Sequence, residues 1–278
     1  MPGVPEASAV KDKVRDFWDS DPCGTRYLHG PDGFEAHAQT RYALEPHIPA
    51  FAQFASARGL RVLEIGVGTG ADYLEWLRAG ALATGVDLSA SSIDQARRRC
   101  ELSGYAPDLK IGDAEKLSFP DNAFDVVYSY GVMHHSVDTR RCLNEAWRVL
   151  KPGGQARIML YHHPSLTGLM LWLRFGLIRG LSIRRSVFEH LESPGTKSFT
   201  QSEVCLMMER FEDVSMEQVF SPGDLLLHKP SARFDRGFYR ALWALYPRFL
   251  MRLLGRNLGL FLLVSARKPI AASPGSGA

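Results

Sequence analysis

The chain predicts an α/β protein built on a parallel sheet with helices on both faces. Three observations carry that prediction. Short apolar runs alternate with helical stretches from residue 61 to about residue 162. A glycine-rich turn, "GVGTG", joins the first run to the first helix, and acidic residues close the second and third runs as Asp87 and Asp113. Strands that alternate with helices pair in parallel, because each crossover lays a helix on a sheet face.

The elements follow in order. Residues about 9–19 form a short helix with Val10, Val14, Phe17 and Trp18 on one side. A turn-rich segment follows, "DSDPCGTRYLHGPDG". A second helical stretch runs from Phe34 to Ala57, bent near Pro46 and Pro49, since proline cannot donate within a helix. "RVLEIG" is the first strand, Ala71–Ala79 a helix and "ALATGVDL" the second strand. Ser89–Ser103 is a helix whose serine-rich start suits capping. "DLKIGDAE" and "AFDVVYSYG" are the third and fourth strands, "DTRRCLNEAWRVL" a helix, "KPGG" a stop and turn, and "QARIMLYHH" the fifth strand.

Beyond that the pattern loosens. Residues 165–192 are helical, apolar and dotted with arginine; "TQSEVCLMMERF" is a capped helix and "EDVSMEQVF" a strand. Residues 232–256 form an aromatic-rich helical stretch, and "NLGLFLLVSARKP" is the final strand. Residues 1–8 and 269–278 are rich in Pro, Gly, Ser and Ala and read as frayed, flexible tails.

Composition narrows the function classes. The net charge is +3 over 278 residues, a mixed solvated surface rather than a nucleic-acid-binding one. The four cysteines are scattered with no CxxC pair, which argues against a thiolate metal site and fits a reduced, cytoplasmic setting. The N-terminus lacks an apolar signal core. The most apolar segment, "LWALYPRFLMRLLGRNLGLFLLV", is interrupted by Arg248, Arg252 and Arg256, which speaks against a spanning helix.

In an open parallel sheet, ligands bind at the carboxyl ends of the strands, where strand order reverses. Gly66, Gly68 and Gly70 leave the first strand there and permit close backbone approach to a ligand. Gly66, Gly68 and Ala71 also satisfy a dinucleotide fingerprint, so the turn alone leaves two cofactors open. Two carboxylates and the chain's later course separate the readings. Glu64, two residues before Gly66, repels a pyrophosphate but suits an amino-bearing ligand. Asp113 can accept a bond from an adenine amine. The sheet ends in a strand–turn–strand signal, not in a second mononucleotide-binding half.

Together, "VLEIGVGTG", "GVDLS", "GDAEKLSFPDNAFDVVYSYGVMHH" and "EAWRVLKPGGQARI" resemble the class I S-adenosylmethionine-dependent methyltransferases, nearest the small-molecule, ubiquinone-biosynthesis-like group. The resemblance covers residues 60–162. It implies a Rossmann-like, seven-stranded, mostly parallel sheet with the last strand antiparallel, plus a helical cap. Residues 1–59 would form a helical lid, 60–162 the cofactor-binding core, and 163–268 the cap and final strands. Gly66, Gly68 and Gly70 would pass close to the methionine part of S-adenosylmethionine, with Glu64 fixing the loop or meeting the amino group. Asp87 would accept the ribose hydroxyls and Leu88 pack on the adenine, whose edge Asp113 and Ala114 would read. Ser129 and Tyr130 would line the methionine end, and Tyr27 and Tyr42 would close from the lid, with His29 and Arg41 as weaker candidates.

Methyl transfer needs alignment and exclusion of water, and a base only where the acceptor must lose a proton. His134 and His135 follow the fourth strand and His162 ends the fifth, so these three are the candidates for that base. Tyr161 and His163 share the same rim, and Glu189 and His190 are further acceptor-site candidates. No metal is expected. The apolar stretches "SLTGLMLWLRFGLIRGLSIRR" and "FYRALWALYPRFLMRLL" cap the sheet, meet a second copy in a homodimer, or touch a lipid surface without stable insertion. The expected acceptor is a small lipophilic or amphipathic metabolite. A NAD-dependent oxidoreductase and a nucleic-acid methyltransferase stand as alternatives.

Overall fold

A computed structural model describes residues 7–20, 33–191, 195–227, 245–254 and 257–270. Its centre is a seven-stranded sheet of β1 (Arg61–Ile65), β2 (Leu82–Asp87), β3 (Asp108–Ile111), β4 (Phe124–Tyr130), β5 (Leu150–Tyr161), β6 (Glu212–Val219) and β7 (Phe261–Arg267). The spatial order is β3-β2-β1-β4-β5-β7-β6. Pairs through β5 are parallel, and β7 runs antiparallel to both β5 and β6. The order reverses between β1 and β4, so the loops leaving these two strands meet over the sheet's edge.

The helices are α1 (Ala7–Ser20), α2 (Gly33–Leu44), α3 (Ile48–Ala52), α4 (Ala71–Arg78), α5 (Ala90–Leu102), α6 (Thr139–Val149), α7 (Leu166–Leu171), α8 (Ile183–His190) and α9 (Gln201–Met207), with a further turn of helix at Arg248–Leu254. The expected break near Pro46 separates α2 from α3. Ser89 caps α5 by accepting from Ser92 N, and Thr200 with Glu203 forms a capping box at α9. The expected helix of residues 232–256 lies outside the described residues as far as 244.

The "KPGG" segment differs from its reading as a turn. It is carried inside β5 as a bulge: Phe124 pairs with Leu150, but Val126 pairs with Gln155. Gly153 takes φ +77, which absorbs the extra residues, and its N–H donates to Lys268 O across β7. Residues 172–176 form a π-helical turn rather than continuous α-helix.

The cap is tied down by one buried carboxylate. Asp224 accepts from Thr167 N and Oγ1, Ser221 N and Oγ, and Leu260 N, all within 2.9 Å. Its outer surface stays apolar. Leu169, Leu173, Leu177, Phe188 and, at 93% exposure, Ile178 face outward, as do Leu245, Phe249, Leu250 and Leu253. No helix among the described residues is long and apolar enough to cross a membrane.

Beneath β1 and β4, an aromatic cluster fixes the sheet to α4. Trp76 is fully buried, edge-on to Phe54 at 4.5 Å and to Tyr128 at 5.5 Å. Trp76→Ala should therefore lower stability by about 3–5 kcal/mol. Urea unfolding followed by far-UV circular dichroism measures the loss.

Candidate active site

The cavity lies over the switch point between β1 and β4 and encloses about 1510 Å³ of empty space, counting its mouth. One end is walled by Asp87, Leu88, Asp113 and Ala114, the other by Tyr130, Met159, Tyr161 and Phe261. Lys11, Val14 and Trp18 of α1 and His37 and Arg41 of α2 close it from the N-terminal side.

The three glycines of the turn do different work. A Cβ on Gly66 would sit 2.1 Å from Val132 Cγ2, so Gly66 lets the loops after β1 and β4 touch. A Cβ on Gly70 would sit 2.8 Å from Ala96 Cβ; Gly70 serves the packing of α4 on α5 and does not line the cavity. A Cβ on Gly68 would meet nothing within 4 Å, because that position faces the cavity. Asp87 shapes the loop: its two oxygens accept from Gly68 N and Ser89 N, each at 2.9 Å. Burial nonetheless raises its pKa above the usual carboxylate value.

Glu64 is buried in β1 and lines the cavity, and its Oε2 has no hydrogen-bond partner. Burial and the charge of Asp72 push its pKa well above the ordinary value, so the carboxyl is held neutral. Asp72 itself stays ionised. Burial opposes its charge, but Arg41 donates twice, at 2.9 and 2.7 Å, and the hydroxyls of Tyr42 and Tyr128 donate at 3.0 and 2.8 Å.

Asp113 is engaged by the N-terminal helix. Lys11 Nζ lies 2.6 Å from Asp113 Oδ2 and 2.7 Å from Glu115 Oε2. Glu115 also accepts from Val137 N and Asp138 N, which binds the loop after β4 to the loop after β3.

The remaining expected residues divide sharply. Leu88, Ala114, Tyr130 and His135 line the cavity. Ser129 points to the opposite side of β4 and donates to Ile65 O at 3.0 Å, since adjacent strand residues face opposite ways. His134 is fully buried and stacked on Tyr161 with ring centroids 3.8 Å apart. Burial pulls its pKa well below the usual value, so it is a neutral packing residue away from the cavity wall. His162 faces β6, where Gln218 Nε2 lies 3.0 Å from its Nε2, and it does not reach the cavity either. His135 Nδ1 lies 3.1 Å from Thr196 Oγ1, and Trp18 meets its ring edge-on at 5.3 Å. Tyr42 is spent on Asp72; Tyr27 and His29 lie outside the described residues. Glu189 and His190 are partnered with the cap arginines: Arg185 Nε reaches Glu189 Oε1 at 2.6 Å, and Arg179 lies 3.5 Å from His190 Nε2.

Sequence reasoning missed Lys11, Trp18, Asp72 and Glu115 as site residues, and ranked Arg41 low. The available signal was spacing: Lys11, Val14 and Trp18 share one face of α1, and Asp72 stands in the first turn after the glycines.

Comparison with known proteins agrees with this geometry. Residues 63–158 match a methyltransferase-domain family model. A demethylmenaquinone methyltransferase of Tropheryma whipplei is 31% identical over 180 residues, covering 62% of this chain and 74% of that protein. A fatty-acid O-methyltransferase of Mycolicibacterium smegmatis is 38% identical over 122 residues, 43% of each chain. Among solved structures, the methyltransferase bound to the Trm112 activator of Haloferax volcanii superposes with TM-score 0.62 at 18% identity, over 94% of this chain and 99% of that one. That last likeness speaks for the fold alone, whereas the sequence relatives speak for the chemistry: this chain belongs to the class I S-adenosylmethionine-dependent methyltransferases of the small-molecule type.

Proposed function

We propose that the cavity aligns S-adenosylmethionine at its polar end with a small lipophilic acceptor at its apolar end. The carrying observation is that division of one continuous cavity. Asp87, Leu88, Asp113 and Ala114 stand at one end; Tyr130, Met159, Tyr161 and Phe261 stand at the other. The names of the relatives, a demethylmenaquinone and a fatty-acid methyltransferase, support an apolar acceptor.

The residues present fit the cofactor. The space beside Gly68 admits a ligand where a Cβ would intrude, and the unpartnered Glu64 Oε2 is an acceptor for an amino group. Gly66 and Gly68 border the methionine part, and Tyr130 stands at its far end. Asp87 keeps lone-pair capacity for a ribose diol beside its bonds from the Gly68 and Ser89 N–H groups, since a carboxylate offers about four acceptor sites. Leu88 supplies an apolar face for the adenine. Ala114 and Asp113 border its edge, with Lys11 neutralising the Asp113 carboxylate.

When bound, the cofactor supplies an electrophilic methyl group whose leaving group is a neutral thioether. The protein supplies alignment and a dry site. Trp18 and Val14 shield the mouth. Tyr161 and Phe261 stack at 5.8 Å with nearly parallel rings and make a flat wall for the acceptor. Of the three candidate bases, His135 alone lines the cavity, and it takes the proton where the acceptor is a hydroxyl. The exposed apolar cap fits peripheral contact with a lipid surface, or pairing with a second copy, from which a lipophilic acceptor gains entry.

Asp87→Ala should weaken S-adenosylhomocysteine binding by about 1–3 kcal/mol, roughly 5–150-fold in Kd, by calorimetric titration. Unchanged affinity would remove Asp87 from the site, and no binding to the native chain would remove the reading itself.

Glu64 adds a pH signature in the ligand-free protein. A carboxyl whose folded pKa exceeds its unfolded value binds its proton more tightly when folded. Its effect on stability therefore turns unfavourable as pH rises from the unfolded value toward the folded one. Glu64→Gln should thus gain stability relative to the native chain on going from pH 5 to pH 8. Urea unfolding at both pH values measures it; a constant difference would show that Glu64 is not held neutral.

A further inference from the structure

A second cleft opens between α2, α4 and α5, on the far side of His37 from the main cavity. It encloses about 540 Å³ of empty space, counting its mouth, between Phe34, Ala38, Leu74 and Ser103. Its floor is a buried guanidinium. Arg99, in the last turn of α5, is 2% exposed. One terminal nitrogen lies 2.9 Å from His37 Nδ1, and the guanidinium packs over the Phe34 ring at 4.9 Å. Its Nε–H is buried with no hydrogen-bond partner, and no ion pair to Arg99 exists among the described residues.

A buried cation without a counter-charge is expensive. Here the compensation is incomplete. Burial, then the charge of Arg99 itself, pulls the His37 pKa down to about 4, so His37 is a neutral acceptor. Asp72 favours the Arg99 charge from a distance, but its own oxygens are occupied by Arg41 and two tyrosines. The carboxylates at the rim of the cleft are engaged elsewhere. Glu75 pairs with Arg78 at 2.7 Å, and Glu35 accepts from Gln39 at 3.3 Å. Arg99 lines the cleft, and a guanidinium with an unpartnered N–H beneath its surface is a donor suited to an oxyanion once the Arg99 side chain turns toward it.

We propose that this cleft is a binding site for a phosphate-sized oxyanion, held chiefly by Arg99, with Arg78 and Ser103 at its sides. The site is separate from the methyl-transfer cavity, and its test needs neither methyl donor nor acceptor.

The test titrates inorganic phosphate into the full chain at fixed ionic strength, with chloride as the balancing ion. Phosphorus NMR line broadening and the thermal midpoint are the readouts. The expected result is saturable binding that weakens at least tenfold in Arg99→Gln. Leu102 lines the mouth at 70% exposure, so its substitution leaves the fold intact. Leu102→Glu should weaken phosphate severalfold and Leu102→Lys should strengthen it. Glycerol phosphate distinguishes the source: binding of both ligands points to a phosphomonoester group, and binding of phosphate alone to the free ion. Equal responses in the native chain and Arg99→Gln would mean an adventitious ion only and overturn the proposal. Where Arg99→Gln fails to fold, equal phosphate affinity in the two Leu102 variants overturns it as well.

Discussion

The site hangs on the buried pairing of Arg41 with Asp72. Asp72 stands in the first turn of α4, directly after the glycine turn; Arg41 and Tyr42 come from α2, and Tyr128 from β4. One carboxylate thus joins the N-terminal helices, the cofactor loop and the central strand. Burying such a charge alone is strongly unfavourable, and four donated hydrogen bonds offset it. Because the pair closes geometrically only when all three elements are docked, the loop after β1 and the closure of the N-terminal helices are parts of one cooperative arrangement.

The same pair sets the charge state of its neighbours. Burial first, and then the negative charge of Asp72, raises the Glu64 pKa well above its ordinary value, even though Arg41 favours the carboxylate. Burial, then the Arg41 charge, takes His47 down to about 4, so its ring is neutral where Nε2 meets the Tyr130 hydroxyl at 2.7 Å. Arg41 also lies over the Tyr130 ring at 5.1 Å. The floor of the cavity therefore carries Arg41 between Asp72 at 2.7 Å and Glu45 at 3.8 Å, neutral polar groups and a removable proton on Glu64. A cationic amino group entering beside Glu64 would draw that proton off, so ligand binding and proton release are coupled at this position.

Much of the fold was legible, because alternation of apolar strands and amphipathic helices is a local signal. The five strands to Tyr161, the break at Pro46 and the caps at Ser89 and Thr200 all rest on residues within a few positions of one another. "KPGG" misled for the same reason: two glycines read locally as a turn, while Gly153 bonds to Lys268, far along the chain, as a bulge. Within the site, the sequence led to the glycine turn, Glu64, Asp87, Leu88, Asp113 and Ala114 as cavity residues, but not to which way neighbouring side chains face at the ends of the fourth and fifth strands. Ser129 and Tyr130 are neighbours in sequence, yet only one can face the cavity. His134 and His135 share a 3₁₀ turn that buries the first and presents the second. Lys11 and Asp113 are 102 residues apart, and no pattern in either segment announces the other.

The proposed acceptor end has no sequence motif for a physical reason. An enzyme that uses an already activated methyl donor must shape and dry its cavity more than it must supply a strong nucleophile or base. Shape is distributed. Tyr130 comes from the end of β4, Met159 and Tyr161 from β5, and Phe261 from the start of β7. These strands lie side by side in the order β4-β5-β7, although 100 residues separate Tyr161 from Phe261 in the chain. Each of these side chains also packs into the sheet, so a substitution that re-shapes the acceptor wall disturbs the core as well. Acceptor choice is therefore tuned more cheaply in the cap, where Leu173 and Ile178 are exposed and Asp224 ties Thr167 to Leu260. That is where related enzymes with different acceptors would diverge first, and where a short sequence signature is least to be expected.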